Sequence, residues 1–96
     1  MLHKDIYSEK PGFFIVNASV TIRALNRAMQ WRLPTDGPKT VNGLLLEHLE
    51  TIPDAGTVVR VDGHEFEVLQ LGENAIRTVR IRTPLPAPEA PPPTPP

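Results

Sequence analysis

The sequence predicts an α+β fold in which two short helices pack on a small, mainly antiparallel sheet. A short apolar run precedes two segments whose apolar residues recur with the 3.6-residue period of a helix. The following segment carries two turn signals separated by alternating residues, which is typical of a three-strand meander. The predicted sheet therefore combines one N-terminal strand with a C-terminal three-strand meander.

The chain of 96 residues is long enough for one small domain. We expect residues 1–12 to be a loose lead-in or the remnant of a linker, because they are mixed and polar and end in the turn pair Pro11-Gly12. Residues 13–82 would form the folded domain. Residues 83–96 are rich in proline, and such a composition predicts a disordered tail without a packed core.

Local signals define the first strand and the first helix. The run from Phe13 to Val16 is apolar, β-branched and aromatic, which predicts a strand. Ser19 is a candidate N-cap for a helix over residues 20–31, because its hydroxyl can accept from a free amide of the first turn. We expect Trp31 to anchor packing rather than to bind a ligand. The apolar face of this helix would carry Ile22, Leu25, Met29 and Leu33.

Thr40 is the predicted N-cap of a second helix over residues 41–50, which Pro53 to Gly56 would end. Gly43 lies in its first turn, where glycine costs about 1 kcal/mol against alanine. A glycine retained at that cost indicates a close approach to its backbone. Another element of the fold is the favoured neighbour, and a ligand is the alternative.

The register of the meander follows from its two turns. Asp62-Gly63 is a two-residue hairpin signal of type I′, and Glu73-Asn74 is the expected second turn. Both hairpins place the same residues on the same faces, so they agree. The predicted pairs are Val61–His64, Arg60–Glu65, Val59–Phe66, Val58–Glu67 and Thr57–Val68 in the first hairpin, and Val68–Val79, Glu67–Arg80, Phe66–Ile81 and Glu65–Arg82 in the second.

One face of the meander is then apolar and the other carries opposite charges directly across from each other. This pairing gives Arg80 and Arg82 a role in register and solubility, because a one-residue slip would bury the charges. The charged face would end in an apolar patch of Leu69, Leu71 and Ile76. We expect this patch to be covered within the domain, and a homodimer contact is the second alternative. Gly43 and the three patch residues are the predicted contact positions.

Composition excludes several classes of function. The net charge is −1, so no strong attraction to nucleic acid is expected. There is no cysteine, which excludes disulfides and thiolate metal sites. The longest uncharged apolar run, Leu44 to Leu46, is far shorter than the roughly 20 residues of a membrane helix, so this segment would not insert into a membrane itself.

Motifs for catalysis or cofactor binding are absent from the sequence. His3, His48 and His64 show no ligand spacing, and His64 and Glu65 would point to opposite faces of one strand. The nucleophile elbow, dinucleotide fingerprint and phosphate-loop patterns do not occur. We therefore expect no catalytic, cofactor-binding or metal-binding residues and no enzymatic activity.

The order of these elements resembles a known family, the transporter-associated domain at the C-terminus of CorC/HlyC proteins. The resemblance covers about residues 13–82. It is carried by Leu25-Asn26, Leu33-Pro34, Thr40-Val-Asn-Gly43-Leu-Leu-Leu, Ile52-Pro53-Asp-Ala-Gly56, Val61-Asp-Gly63, Phe66-Glu-Val68 and Ile76-Arg-Thr-Val79.

The resemblance implies a non-enzymatic accessory or regulatory domain of a magnesium and cobalt efflux protein. Its partners would be the CBS-domain pair and the membrane domain of the same parent protein. It would lie on the cytoplasmic side of the bacterial inner membrane and act through domain or subunit contacts. The family brings no catalytic residues with it.

Two alternatives remain open. The first is a small-ligand module for a nucleotide or flavin, with an anion near Gly43 and the amides at the Thr40 helix start. The second is an adaptor that captures partners through its proline-rich tail.

Overall fold

The computed structural model describes residues 4–84, and within them two helices pack on a five-stranded antiparallel sheet. This arrangement confirms the predicted α+β fold. Strand order across the sheet is β1-β2-β5-β4-β3. The elements are β1 (Ile6–Lys10), β2 (Phe13–Asn17), α1 (Ile22–Met29), α2 (Val41–Leu49), β3 (Val58–Val61), β4 (His64–Leu71) and β5 (Ile76–Arg82).

The helices connect the β1–β2 hairpin to the β3–β4–β5 meander. The chain leaves β2, passes through α1 and α2, and re-enters the sheet at its far edge as β3. It then returns strand by strand until β5 lies beside β2. Because β2 and β5 are also antiparallel, all neighbouring strands of the sheet are antiparallel and no parallel crossover is needed.

The segment before Phe13 is a strand, so the prediction of a loose lead-in was wrong. Residues Ile6–Lys10 pair with β2, and Ile6 lies buried in the core. The Pro11-Gly12 turn joins them, and Gly12 adopts a φ of 86° that favours glycine. The sequence signal for this hairpin was the Pro11-Gly12 turn directly before an apolar strand. The predicted proline-rich tail lies almost entirely outside the described residues.

The two helices are capped by threonine hydroxyls. Thr40 Oγ1 accepts from the Gly43 amide at 3.0 Å, which confirms the predicted cap of α2. The cap of α1 is Thr21, whose Oγ1 accepts from the Ala24 amide, and the prediction of Ser19 was wrong. The Ser19 hydroxyl donates instead to Asn17 Oδ1 at 2.8 Å. The helix therefore starts two residues later than predicted.

One continuous core joins the helices to the inward side of every strand. Phe66 and Leu45 are fully buried in it. The buried apolar residues are Ile6, Val16, Ala18, Val20, Ile22, Leu25, Leu33, Val41, Leu44, Leu45, Val59, Val61, Phe66, Val68, Ile76, Val79 and Ile81.

The predicted register of the meander is confirmed. Every predicted pair except Thr57–Val68 belongs to the strand ladders. Beyond the end of the β3–β4 ladder, the Val68 amide donates to the Thr57 carbonyl at 2.9 Å. Asp62 and Gly63 have φ values of 50° and 83°, as a type I′ turn requires. The second turn spans residues 72–75, with the Gly72 amide donating to the Ala75 carbonyl at 2.8 Å.

Trp31 is a packing anchor, as predicted. Its ring meets Phe14 edge-on at 5.8 Å between centroids and lies 4.5 Å from the His64 ring. His64 is buried, and its Nε2 has no hydrogen-bond partner among the described residues. The three rings fill the space between β2, β4 and the chain that follows α1.

Two asparagine side chains hold irregular backbone in place. Asn26 both donates to the Leu33 carbonyl at 3.0 Å and accepts from the Leu33 amide at 2.9 Å, which folds the chain back after α1. Asn42 Oδ1 accepts from the amide of Ile76 at 2.7 Å and so ties α2 to the start of β5. All three bonds satisfy backbone groups in partly buried surroundings, where an unpaired group is costly.

Replacing Asn42 with alanine should therefore destabilise the domain. The Ile76 amide would lose its acceptor beside a buried side chain, which costs about 1–3 kcal/mol of unfolding free energy. Chemical denaturation measures the change. Asn74→Ala is the matched control, because Asn74 is exposed in the β4–β5 turn, and we expect it to change stability by less than about 0.5 kcal/mol. Equal losses in the two variants would contradict this assignment.

Candidate functional site: the open face of the sheet

Both helices pack on one face of the sheet, and the side chains on the other face are exposed or half-buried. We call this second surface the open face. Its members come from all five strands, because neighbouring strand residues alternate between the two faces. They are Tyr7, Glu9, Lys10, Phe13, Ile15, Asn17, Val58, Arg60, Glu65, Glu67, Gln70, Thr78, Arg80 and Arg82.

Two rows of the open face run across the four neighbouring strands β2, β5, β4 and β3. The first row is Phe13, Arg82, Glu65 and Arg60, and the second is Ile15, Arg80, Glu67 and Val58. The central strand β5 thus presents two arginines, and the adjacent β4 presents two glutamates. The consequence is a positive column beside a negative column.

Arg80 is the centre of the charge network. Its guanidinium donates to Glu9 at 2.9 Å and to Glu67 at 2.9 Å, bridging strands β1, β5 and β4. The hydrogen bond from Arg80 holds the pKa of the Glu9 carboxyl below its ordinary value. The bonds to the two carboxylates raise the pKa of Arg80 in turn. A second pair joins Arg60 to Glu65 at 3.2 Å.

Aromatic and aliphatic side chains flank these charges. The Phe13 ring has the Lys10 ammonium 4.5 Å and the Arg82 guanidinium 5.6 Å from its centroid, which are cation–π distances. Tyr7 and Val58 are 65% and 51% exposed on the two edge strands. The open face therefore mixes apolar contact area with paired charges, as the surfaces that bind other proteins do.

The sequence missed the β1 side of this surface. Tyr7, Glu9 and Lys10 were placed in a loose segment, so the pairing of Glu9 with Arg80 was not foreseen. The positions of Arg80 and Arg82 opposite Glu67 and Glu65 were predicted from the meander register and are confirmed.

Leu71 and Ile76 do not lie on the charged face, so that part of the prediction was wrong, but both are covered within the domain, as expected. The pairing shifts between Val68 and Leu71, so Leu71 faces Ile76 after two irregularities in the ladder. Extra residues at these points move the chain to the other face. Ile76 is consequently 2% exposed in the core, Leu71 packs against that core, and Leu69 is half-buried.

Gly43 has an internal neighbour, as the favoured prediction held. A Cβ built on it would lie 3.0 Å from Pro38 Cβ and 3.4 Å from Thr40 Oγ1. The loop between the helices thus lies against the first turn of α2. This contact accounts for a glycine at a position where propensity alone favours alanine.

The amides at the start of α2 are already bonded. Val41 and Asn42 donate to the carbonyls of Val20 and Ala18 at 3.1 and 2.8 Å, and the Gly43 amide donates to Thr40. An anion at this helix start would have to displace these bonds. The geometry therefore argues against the alternative of a nucleotide or flavin held there.

A groove of about 730 Å³ runs along one end of the open face. Lys4, Asp5, Glu73 and Arg77 line it with charges of both signs, together with uncharged polar side chains. Within residues 4–84, no three histidine, cysteine, aspartate or glutamate side chains converge to hold a metal ion. The groove is a mixed polar surface rather than a site with one defined chemistry.

The fold and the open face define a small α+β accessory domain. The sequence profile of the CorC_HlyC family, described as the transporter associated domain, matches residues 8–84. The chain belongs to this family.

Two longer relatives share this domain. The chain is 38% identical over 80 residues to a UPF0053 protein of Haemophilus influenzae and 36% identical over 80 residues to the UPF0053 inner membrane protein YfjD of Escherichia coli. Each match covers 83% of the chain but only 19% of the relative. The domain therefore occurs within much longer proteins, one of which is named an inner membrane protein. No helix in residues 4–84 has the length and apolar character needed to cross a bilayer.

Solved structures share the fold. A functionally unknown conserved protein from Haemophilus influenzae superposes with a TM-score of 0.78 at 36% identity. The alignment covers 83% of this chain and 99% of the solved chain. The putative Mg²⁺ and Co²⁺ transporter (CorC) associated region from Neisseria meningitidis superposes with a TM-score of 0.76 at 19% identity, with coverages of 83% and 99%. Nearly all of each solved chain is matched, so each of these two solved proteins consists of little more than this domain.

The Glu9–Arg80 pair should make stability depend on pH. Since folding lowers the pKa of Glu9, its pairing stabilises the fold above the ordinary value of 4.5 and is lost as pH falls through the lowered value. Glu9→Gln should therefore melt at a lower temperature than the native chain at neutral pH. That difference should vanish as both are titrated from about pH 5 to pH 2.

Glu73→Gln is the control for this titration, because Glu73 is exposed and has no ion-pair partner among residues 4–84. It should match the native chain throughout. A Glu9→Gln difference that stays constant down to the acid end would contradict the pairing.

Gly43→Ala should destabilise the domain although the position is helical. The added methyl would press on the rigid Pro38 ring, and the expected overpacking outweighs the helix gain and leaves a net loss of about 1 kcal/mol. Gly37→Ala is the matched control in the same region, since the nearest atom to its added methyl lies 3.7 Å away. Denaturant titration compares them, and a Gly43→Ala variant more stable than the native chain would contradict the Pro38 contact.

Proposed function

We propose that this chain is a non-enzymatic, cytoplasmic accessory domain of a magnesium and cobalt efflux protein. It regulates transport through contacts that the open face makes with other domains or subunits of the parent protein. The observation that carries the proposal is the open face itself, where Tyr7, Phe13 and Ile15 lie beside a network of paired charges.

The energetics of the open face favour a contact role. Exposed aromatic and aliphatic side chains on a sheet gain free energy when another surface removes them from water, at about 25 cal/mol per Å² of apolar area. The charges around them already have partners, so burying the surface leaves few unpaired groups. Such a face suits binding to a protein surface better than binding to a small molecule, which prefers a concave pocket.

The relatives support the cation-transport part of the proposal. The domain lies within larger UPF0053 inner membrane proteins, and one protein with this fold is named a putative Mg²⁺ and Co²⁺ transporter associated region. In the parent protein we expect a CBS-domain pair and a membrane domain as partners of this domain.

Transport by the full-length parent protein tests the proposal. Cells that express it with and without residues 4–84 should differ in Mg²⁺ or Co²⁺ efflux by about fivefold or more, the size expected of a coupling free energy of 1–3 kcal/mol. A Tyr7→Asp/Val58→Asp variant of the open face should reproduce the effect of the deletion. Efflux is measured from loaded cells or inverted vesicles.

The matched control is Arg27→Glu, which reverses an exposed charge on α1, away from the open face. It should transport as the native protein does. Unchanged efflux on deletion of the domain would overturn the proposed function, and an effect of Arg27→Glu equal to that of the double variant would show that the open face is not the regulatory surface.

A further inference from the structure

We propose that the open face binds the open face of a second copy of this chain across a two-fold axis. The axis lies in the interface, parallel to the strands and midway between β4 and β5. This inference rests on the proposed function, since it names the partner in a subunit contact made by that face. It is carried by the order of charges and apolar side chains across the four neighbouring strands β2, β5, β4 and β3.

The two-fold axis exchanges strands in pairs. Neighbouring strands lie about 4.8 Å apart, so β5 and β4 stand equally far from the axis, and so do β2 and β3. Face-to-face stacking therefore places β5 of one copy over β4 of the other and β2 over β3. Residues of one row remain opposite residues of the same row, because the axis follows the strand direction.

The charged columns then meet their opposites. In the first row Arg82 faces Glu65 of the second copy, and in the second row Arg80 faces Glu67 of the second copy. Each row closes into a square of two arginines and two glutamates with alternating signs. Arg80 already binds Glu9 and Glu67 within one chain, each at 2.9 Å. The square adds Glu67 of the second copy as a third carboxylate near Arg80 and leaves both pairs within the chain in place.

The flanking columns also complement each other. Phe13 on β2 faces Arg60 on β3 of the second copy, which is a cation–π pairing. Ile15 faces Val58 of the second copy, and Val58 is 51% exposed in one chain. The contact thus covers the apolar side chain that one chain leaves most accessible on its β3 edge.

The other in-plane axis is excluded by the same charges. A two-fold axis perpendicular to the strands would place β5 over β5 and β4 over β4. Arg80 would then face Arg80 of the second copy, and Glu67 would face Glu67, which costs free energy through like-charge repulsion. The pattern therefore selects one orientation as well as one partner.

The contact is small. Four strands about 4.8 Å apart and two to three rows of side chains give a footprint of roughly 300 Å² per copy. Stable complexes bury roughly 800 Å² per partner, so we expect a weak, reversible dimer of the isolated chain. Sedimentation of the 96-residue chain at about 0.1–1 mM should show this dimer.

Charge reversal tests the pairing. Arg82→Glu alone and Glu65→Arg alone should each weaken the homodimer more than tenfold, because each creates two like-charge contacts across the axis. The double variant Arg82→Glu/Glu65→Arg should dimerise as the native chain does. An equimolar mixture of the two single variants should form a heterodimer, since each then carries the charge that the other lacks. Circular dichroism at the same concentrations verifies that every variant is folded.

Three outcomes would overturn the inference: a native chain that stays monomeric at 1 mM, single reversals that leave the dimer unchanged, or a mixture that forms no heterodimer. The transport assay separates this inference from the proposed function. If the isolated chain is monomeric but deleting the domain from the parent protein still changes efflux, only the contact with a second copy is overturned. If the isolated chain dimerises but the deletion leaves efflux unchanged, the regulatory role is overturned and the contact itself is supported.

Discussion

The register of the β3–β4–β5 meander is the constraint on which the rest of the domain depends. Asp62 and Gly63 fix it through a type I′ turn, whose positive φ angles match the twist of the two strands. With this register the core side of the meander is apolar, and the opposite side places arginines beside glutamates. A slip of one residue would reverse both faces together, so the turn sets the core and the open face at once.

The helices depend on the same sheet through hydrogen bonds as well as packing. Asn42 binds the amide of Ile76 at the start of β5, and the Asn42 amide donates to the Ala18 carbonyl after β2. The first turn of α2 therefore joins two strands that are neighbours in the sheet but lie far apart in the chain. This use of the helix start explains why a glycine, a threonine and an asparagine occur together there, and it leaves no free amides for an anion.

Sequence reasoning predicted the parts that local geometry determines. Local residue types determine the conformation at the Asp62-Gly63 turn and at the Thr40 cap. These two signals, together with the alternation of Arg80 and Arg82, were enough to predict the meander and α2. The first strand was missed because Ile6–Lys10 contains one buried apolar residue, and its pairing with β2 is a tertiary contact. Leu71 and Ile76 were predicted on the wrong face of the sheet, because irregular pairing reverses which residues of a strand point to each face. The residue types at these positions do not indicate the irregularity.

On the open face, strand β1, which the sequence did not predict, adds a contact to Arg80, whose pairing with Glu67 was predicted correctly. Arg80 and Glu67 alone form an ordinary cross-strand pair that stabilises the register. Once Glu9 joins them, the same arginine bridges three strands, and two cations lie against the Phe13 ring beside it. A solvated polar face has no need for aromatic and aliphatic side chains between its ion pairs, because each exposes apolar area to water. Their presence beside the ion pairs of Arg80 and Arg60 supports the proposal that this face makes contacts with other domains or subunits.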